Sequence, residues 1–368
     1  MDRNKIYSKK RQNVLILLCS LLYICSYLGK YTFNASVTSI QNFYGADASQ
    51  VGLIGSAFFF AYGAGQIING VLCRFYNKKI VLSLSLIVSA IINVSIFLGI
   101  PFKFIKYIWF INGFALSTLW SSIVLVFSEG LEGENFSKAN FAISFVTPIG
   151  TIITYMLTAL FVAILDFRYA FLVGGIIIFI FGIIWFMLYD KYSLSKSQAE
   201  YLMKEGAIST TNQAENQASK PKNKIPLILL ITLIFLGIFS MINAFMKDGL
   251  QTWAPNILTK VYQLDESISI ILTLFLPLAG IPGGILAISL NKKIQNPILN
   301  CVLYFTLQVI VIALIILCIS TSPYIIIILF ACTALLSHGI AKSVKLYKYT
   351  ACIRLRVVKS VRKVSGFV

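Results

Sequence analysis

Ten apolar runs, each long enough to cross a bilayer, dominate this sequence: 14–37, 51–75, 80–100, 107–128, 140–165, 169–189, 227–252, 268–290, 298–320 and 324–340. The hydrocarbon core of a membrane asks for about 20 mostly apolar residues per spanning helix. The runs are continuous rather than alternating, which favours helices over a transmembrane barrel. Hydrophobic residues make up 58% of the chain and charged residues 12%, about half the charged fraction of a soluble domain. In water such a chain would have no way to cover its apolar surface. The expected fold class is an all-α membrane protein, a bundle of six N-terminal helices followed by four more.

The net charge of +18 could suggest a nucleic-acid binder, but its placement argues against one. With the N-terminus inside, most Lys and Arg fall in loops on that side. The opposite loops hold only Lys103, Lys106, Arg168, Lys247 and Lys260. This is the positive-inside bias, and it puts the N-terminus in the cytoplasm. Arg3, Lys5, Lys9, Lys10 and Arg11 before an apolar run imitate a signal peptide. No small-x-small cleavage site follows, so the segment is expected to stay as the first helix. The seven cysteines lie mostly in apolar runs without metal-ligand spacing and read as small buried hydrophobes.

The pattern divides the chain into a six-helix bundle (1–189), a polar cytoplasmic linker (190–226), a four-helix partial bundle (227–340) and a basic tail (341–368). The linker is rich in Ser, Gln, Asn and Lys, the composition of a flexible connector. The two bundles read as repeats. Lys30 in the first helix matches Lys247 in the seventh, and "NKK" at 77–79 matches "NKK" at 291–293. Gly63 and Gly280 are separated by the same interval as the two lysines. Such parallel repeats are a transporter signature. A complete second copy would need two more helices. The tail carries no run able to cross a membrane, and its composition changes abruptly near Ile340. A truncation or frame shift there is the expectation, with a native basic tail on anionic lipid as the alternative.

Polar residues mark two helix faces. Ser20, Tyr23, Tyr27, Lys30, Tyr31 and Asn34 step by three and four along the first helix; Ser240, Asn243, Lys247 and Gln251 do so on the seventh. Lipid offers such a face no hydrogen bonds, so it must look into a bundle or an aqueous cavity. A charge near mid-membrane costs roughly 2.5–3.5 kcal/mol on insertion scales. Lys247 lies near the outer boundary, where its stem could carry the ammonium to the headgroups; Lys30 is deeper. Asp248 is next to Lys247 but points about 100° away around a helix, so neither lysine has an evident acid partner. A small anionic solute fits as the partner that arrives and leaves. Tyr62 and Gln66 on the second helix, Trp120 on the fourth, Thr151 on the fifth and His338 on the tenth are further candidates for lining the site. For the Thr stripe around Thr151 and for Trp120, helix packing is the competing reading.

Particular motifs give this pattern a family likeness. "GVLCRFYNKK" after the second helix is similar to the major facilitator signature G-x-x-x-D-R/K-x-G-R/K-R/K: Gly70, Lys78 and Lys79 match, while Arg74 replaces the acid and Asn77 the second glycine. More specifically, Tyr27, Leu28, Lys30 and Phe33 resemble Y-L-x-R-x-x-F of the organophosphate:phosphate antiporter branch, the glycerol-phosphate and hexose-phosphate carriers. "KDGLQTWAP" at 247–255 resembles that branch's R-x-G-x-x-x-W-x-P, and "INGFALSTLW" at 111–120 its fourth helix. In that branch two arginines hold a phosphate between the halves. Lysine stands at both positions here, a point charge in place of a bidentate fork. The resemblance therefore implies an anionic solute, phosphate ester or carboxylate.

The expected function is secondary transport of a small organic anion by alternating access, with anion exchange as one form of coupling. The alternative is an inactive transporter remnant. No nucleophile–base pair, metal cluster or phosphate-cradling loop points to an enzyme or to a cofactor. The expected binding residues are Lys30, Lys247, Tyr23, Tyr27, Tyr31, Asn34, Tyr62, Gln66, Trp120, Thr151, Asn243, Gln251 and His338. The protein is expected to be a monomer in the cell membrane, its partners the solute and the bilayer.

Overall fold

A computed structural model describes residues 9–131, 133–193 and 227–364. Most of the linker, the first eight residues and the last four therefore lie outside the described residues, as do the side chains of Asn140 and Ser144 and all side chains after Val344. Every element among the described residues is helical. The first compact unit, Met1–Asn223, contains α1 (Lys9–Ala35), α2 (Val37–Tyr44), α3 (Ala48–Leu72), α4 (Lys78–Phe97), α5 (Phe102–Gly130), α6 (Gly133–Ile164) and α7 (Arg168–Tyr192). The second, Lys224–Val368, contains α8 (Leu227–Tyr262), α9 (Glu266–Leu272), α10 (Phe275–Ile294), α11 (Pro297–Cys318) and α12 (Pro323–Val364). Nine segments among the described residues are long and apolar enough to cross a membrane.

Each run of the sequence becomes a helix, with three differences. The first span stops at Ala35 and continues as the short α2, because the Ser36 amide is shared between the Thr32 and Phe33 carbonyls (3.1 Å to each) and the ladder changes pitch. The eighth span is broken at Thr273–Leu274. Pro277 has no N–H to give the Thr273 carbonyl, which accepts from Leu276 at 3.0 Å instead. The tenth runs on as helical backbone to Val364, through most of the segment read as a tail.

Helix ends are fixed by local chemistry. Asp47 and Gln50 form a reciprocal capping box at the start of α3, with bonds of 2.7 and 3.1 Å. Asn77 caps α4 by accepting from the Lys79 amide at 2.9 Å. Asp265 caps α9; the Ser267 hydroxyl and two backbone amides hold its carboxyl below the usual range. Asp47→Ala should cost about 0.5–2 kcal/mol, read as a lower thermal midpoint in detergent, and Asp47→Asn should retain most of it.

Between lipid-embedded helices there is little hydrophobic driving force, so association rests on close packing and hydrogen bonds. In the first unit the most extensive contacts join α3 to α5, α4 to α7 and α1 to α6. Gly113 of α5 lies directly on the Phe58 carbonyl of α3, where no side chain fits. In the second unit α10 packs on α12, and Gly283 lies in the same way on the Leu335 carbonyl. The two units thus repeat one pairing, second span on fourth. They repeat polar ties as well. At the first–fourth crossing, Asn112 donates to the Gly29 carbonyl (2.8 Å) and Asn243 to the Ser337 carbonyl (3.0 Å). At the third–fourth crossing, Ser85 meets Thr118 (2.9 Å) and Gln308 meets Ser337 (3.1 Å).

Charged groups gather at one end of the first unit. Lys78 pairs with Glu129 of α5 at 3.2 Å and Lys79 with Asp190 of α7. Arg11 of α1 donates to the Tyr192 and Ser193 carbonyls at the end of α7. The lysines of the family-like signature therefore tie α4 to α5 and α7.

Candidate functional site

In the first unit the site is built on α1, α3 and α5. The i, i+4 spacing of Tyr23, Tyr27 and Tyr31 stacks them along one face of α1. Tyr27 and Tyr31 are parallel with centroids 5.1 Å apart; Tyr23 meets Tyr27 edge-on at 5.5 Å and Trp120 of α5 at 5.5 Å. Tyr27 donates its hydroxyl to Thr147 of α6 at 2.9 Å, and its ring lies over Gly150, where a Cβ would stand 2.8 Å away. Glycine at 150 is what lets α6 come close enough for that bond.

Lys30 lies beside this ladder. Its Nζ is 4.7 Å from the centroid of Tyr31, 4.9 Å from Tyr62 and 5.0 Å from Phe59. These distances are within cation–π range, about 6 Å. Tyr62 is in turn stacked on Phe58 (5.9 Å, 11° between planes), and Phe58 packs on Trp109 at 5.7 Å. The ring surround is thus anchored to the same α3–α5 contact that Gly113 permits. Among the expected residues, Tyr23, Tyr27, Lys30, Tyr31, Tyr62 and Trp120 are brought into one group. Asn34 is buried one turn further along α1, and Gln66 is half-buried one turn beyond Tyr62. Thr151 is buried, and its hydroxyl bonds back to the Thr147 carbonyl within α6 at 2.9 Å, as in the packing reading.

Phe59 was not among the expected residues. It belongs to "FFFAY", an apolar stretch that reads as lipid-facing, and only the α1–α3 contact gives it a charged neighbour. A recess of about 420 Å³ lined by Gln50, Lys103, Lys106 and Tyr107 opens at the other end of the unit from the ion pairs and holds none of the expected binding residues.

In the second unit Lys247 does have an acid partner. Its Nζ is 3.4 Å from the Asp248 carboxylate, both side chains being partly exposed. The expectation that neighbours in sequence point apart is corrected by side-chain length: a four-carbon stem reaches around the helix. Asn243 and Gln251, one turn on either side of Lys247, are buried. His338 lies over Gly280 of α10, where a Cβ would stand 2.5 Å from its ring, and its Nδ1 is 2.9 Å from the Ala334 carbonyl. No group of His, Cys, Asp and Glu able to hold a metal ion occurs among the described residues.

Residues 19–350 match the family model of the Major Facilitator Superfamily. The chain belongs to the Major Facilitator Superfamily. Its fold is that of solved members. It superposes on the partially occluded, inward-open xylose transporter XylE from E. coli with a TM-score of 0.69 (13% identity, 93% of this chain and 88% of that one). A bacterial homologue of the human lysosomal transporter Spinster gives 0.66 (13% identity, 92% and 75%). In sequence it is similar to the hexuronate transporter of Bacillus subtilis (strain 168), 24% identical over 297 residues that span 78% of this chain and 67% of that protein. It is also similar to the probable sulfoacetate transporter SauU of Cupriavidus necator, 25% over 317 residues, 78% of this chain and 66% of that one. A shorter match, 24% over 169 residues (46% of this chain, 36% of the other), is to the probable hexose phosphate transport protein of Chlamydia trachomatis serovar D. Superfamily membership makes this a multi-pass membrane protein of the transporter class rather than an enzyme.

Proposed function

We propose that the protein is a secondary transporter of a small organic anion, with Lys30 as the main electrostatic anchor and Lys247 as a second. The observation that carries this reading is the Lys30 ammonium lying among ring faces on the polar face of α1. The relatives support it from another direction: hexuronate, sulfoacetate and hexose phosphate share a negative charge and little else. Phosphate is common to none of the other two, so the charge rather than the phosphoryl group is the feature carried over. A lysine at each arginine position of the organophosphate branch fits the same conclusion, since an ammonium suits a single carboxylate oxygen as well as a phosphate. The tyrosine ladder adds apolar faces and hydroxyls, suited to a polyhydroxylated acid such as a uronate.

Transport would proceed by alternating access around these residues, in the cell membrane and with the N-terminus cytoplasmic as the loop charges favour. Exchange of one anion for another is the coupling we favour, because among the described residues Asp248, near the outer boundary of its helix, is the only carboxylate within an apolar run. A relay of embedded Asp or Glu has little to run on.

The test is uptake of ¹⁴C-glucuronate, ³²P-labelled hexose phosphate and ¹⁴C-glucose into proteoliposomes, with and without unlabelled anion inside. Uptake of at least one anion, raised by internal anion and absent for glucose, is expected. Uptake of glucose alone, or of nothing under any gradient, would overturn the reading; the second outcome is the one expected of an inactive remnant. Lys247→Ala should reduce anion uptake less than Lys30→Ala, because Asp248 already shares that charge.

A further inference from the structure

We infer that the recess at the start of α3 and α5 binds an acidic phospholipid, its phosphate held by Lys103 and Lys106 and its acyl chains laid on the apolar side chains beside them. The site lies at the end of the first unit away from the ion pairs and does not depend on the reading of Lys30. Its volume, about 420 Å³, falls in the range of small-ligand sites, about 300–1,000 Å³. Lys103 and Lys106 stand at i, i+3 near the start of α5, so both stems leave one face of the helix and line the recess. Neither lysine is in an ion pair among the described residues. Asp47, the acid next to Gln50 along the chain, accepts instead from the Gln50 amide at 2.7 Å. The start of α5 adds to the positive potential, since Pro101 supplies no capping oxygen to the first amides of the helix.

The setting selects a lipid over a soluble anion. The apolar runs of the two helices begin at Val51 and Tyr107, so the recess sits at the membrane boundary. Beside the lysines, Leu53, Phe104 and Tyr107 are 57%, 46% and 60% exposed. The ammonium groups lie 5.1 Å and 4.8 Å from the ring centroids of Phe104 and Tyr107, which makes the cations and the apolar wall one surface. A surface divided in that way suits a molecule divided in the same way, an anionic head on apolar chains. The positive-inside bias leaves few Lys or Arg for this side, yet two of them line this one recess. Its walls are also held. Tyr44 of α2 donates to the Ile100 carbonyl at 2.9 Å and packs on Phe102 at 5.4 Å, which fixes the turn into α5. The close contact of α3 with α5 fixes the opposite wall. With the N-terminus cytoplasmic, as proposed above, the lipid belongs to the outer leaflet.

The test is binding of ³²P-phosphatidylglycerol to the purified full chain in detergent, read by scintillation proximity with unlabelled competitors. Wild type should show a saturable site, emptied by unlabelled phosphatidylglycerol and not by phosphatidylcholine or glycerol phosphate. Replacing both lysines, Lys103→Gln with Lys106→Gln, should weaken binding about 30-fold. Lys103→Arg with Lys106→Arg, which keeps the charge, should restore most of it. Lys292→Gln with Lys293→Gln removes the same charge elsewhere and should leave binding nearly unchanged. Displacement by glycerol phosphate as readily as by the lipid would show a site for soluble anions, and displacement by phosphatidylcholine a site without charge selection; either overturns the inference. So would the absence of a saturable site, full binding by the Lys103/Lys106 glutamine variant, or an equal loss in the Lys292/Lys293 variant. The measurement needs no transport, so it decides the lipid site whatever becomes of the anion reading.

Discussion

Lys30→Ala is expected to reduce uptake of the transported anion by about 30-fold or more, chiefly through KM. Removing one member of a desolvated charge pair costs roughly 2–5 kcal/mol, and about 1.4 kcal/mol is a factor of ten. Part of that loss comes from leaving the anion among tyrosine rings with no cation to face. Lys30→Arg should recover part of the uptake, because it restores the charge. The recovery should be incomplete, since the rings at 4.7–5.0 Å enclose a compact ammonium rather than a planar fork. Protein yield and thermal midpoint in detergent should stay close to wild type for Lys30→Arg, which separates loss of binding from loss of fold.

Gly113→Ala is expected to have the largest effect on stability. Its new methyl would fall within van der Waals range of the Phe58 carbonyl oxygen and of the carbonyl carbon, 3.1 Å away. Both belong to backbone, so α3 and α5 must separate. Overpacking usually costs about 1–3 kcal/mol, and a rigid backbone neighbour puts this site at the upper end. Gly65→Ala in the same interface meets Ser117: its hydroxyl can turn away at the expense of its bond from Asn69 (2.9 Å), while its Cβ, 2.8 Å off, yields only with a smaller shift of the helix. It should lower the thermal midpoint less. Because Phe58 supports Tyr62 and Phe59, Gly113→Ala should also raise KM, whereas Gly65→Ala should leave it near wild type.

The membrane class and the helical architecture were legible in the sequence because lipid removes the competing solutions: a continuous apolar run of about 20 residues has one stable form there. The grouping of Tyr23, Tyr27, Lys30 and Tyr31 was legible for a related reason, since helical spacing puts them on one face. Phe59 was not. An apolar residue on a membrane helix reads the same whether it faces lipid or a lysine on the next helix, and only the tertiary contact distinguishes the two. The break at Thr273–Leu274 was missed because hydropathy does not register a lost hydrogen bond, although Pro277 was its visible cause. The Lys247–Asp248 pair was missed because backbone direction stood in for side-chain reach. The match between the two units was glimpsed in a few residues. It becomes plain in packing, where Gly113 on Phe58 and Gly283 on Leu335 make the same second-on-fourth contact.

The central claim is that the solute is held by its negative charge at Lys30. The most direct measurement is the affinity of purified protein for glucuronate against glucose, two solutes of similar size that differ in a carboxylate, taken for wild type and Lys30→Ala. The expected result is clear binding of glucuronate and none of glucose by wild type, with the preference gone in Lys30→Ala. Equal binding of the two sugars by wild type, or a preference for glucuronate that survives the loss of Lys30, would contradict the claim.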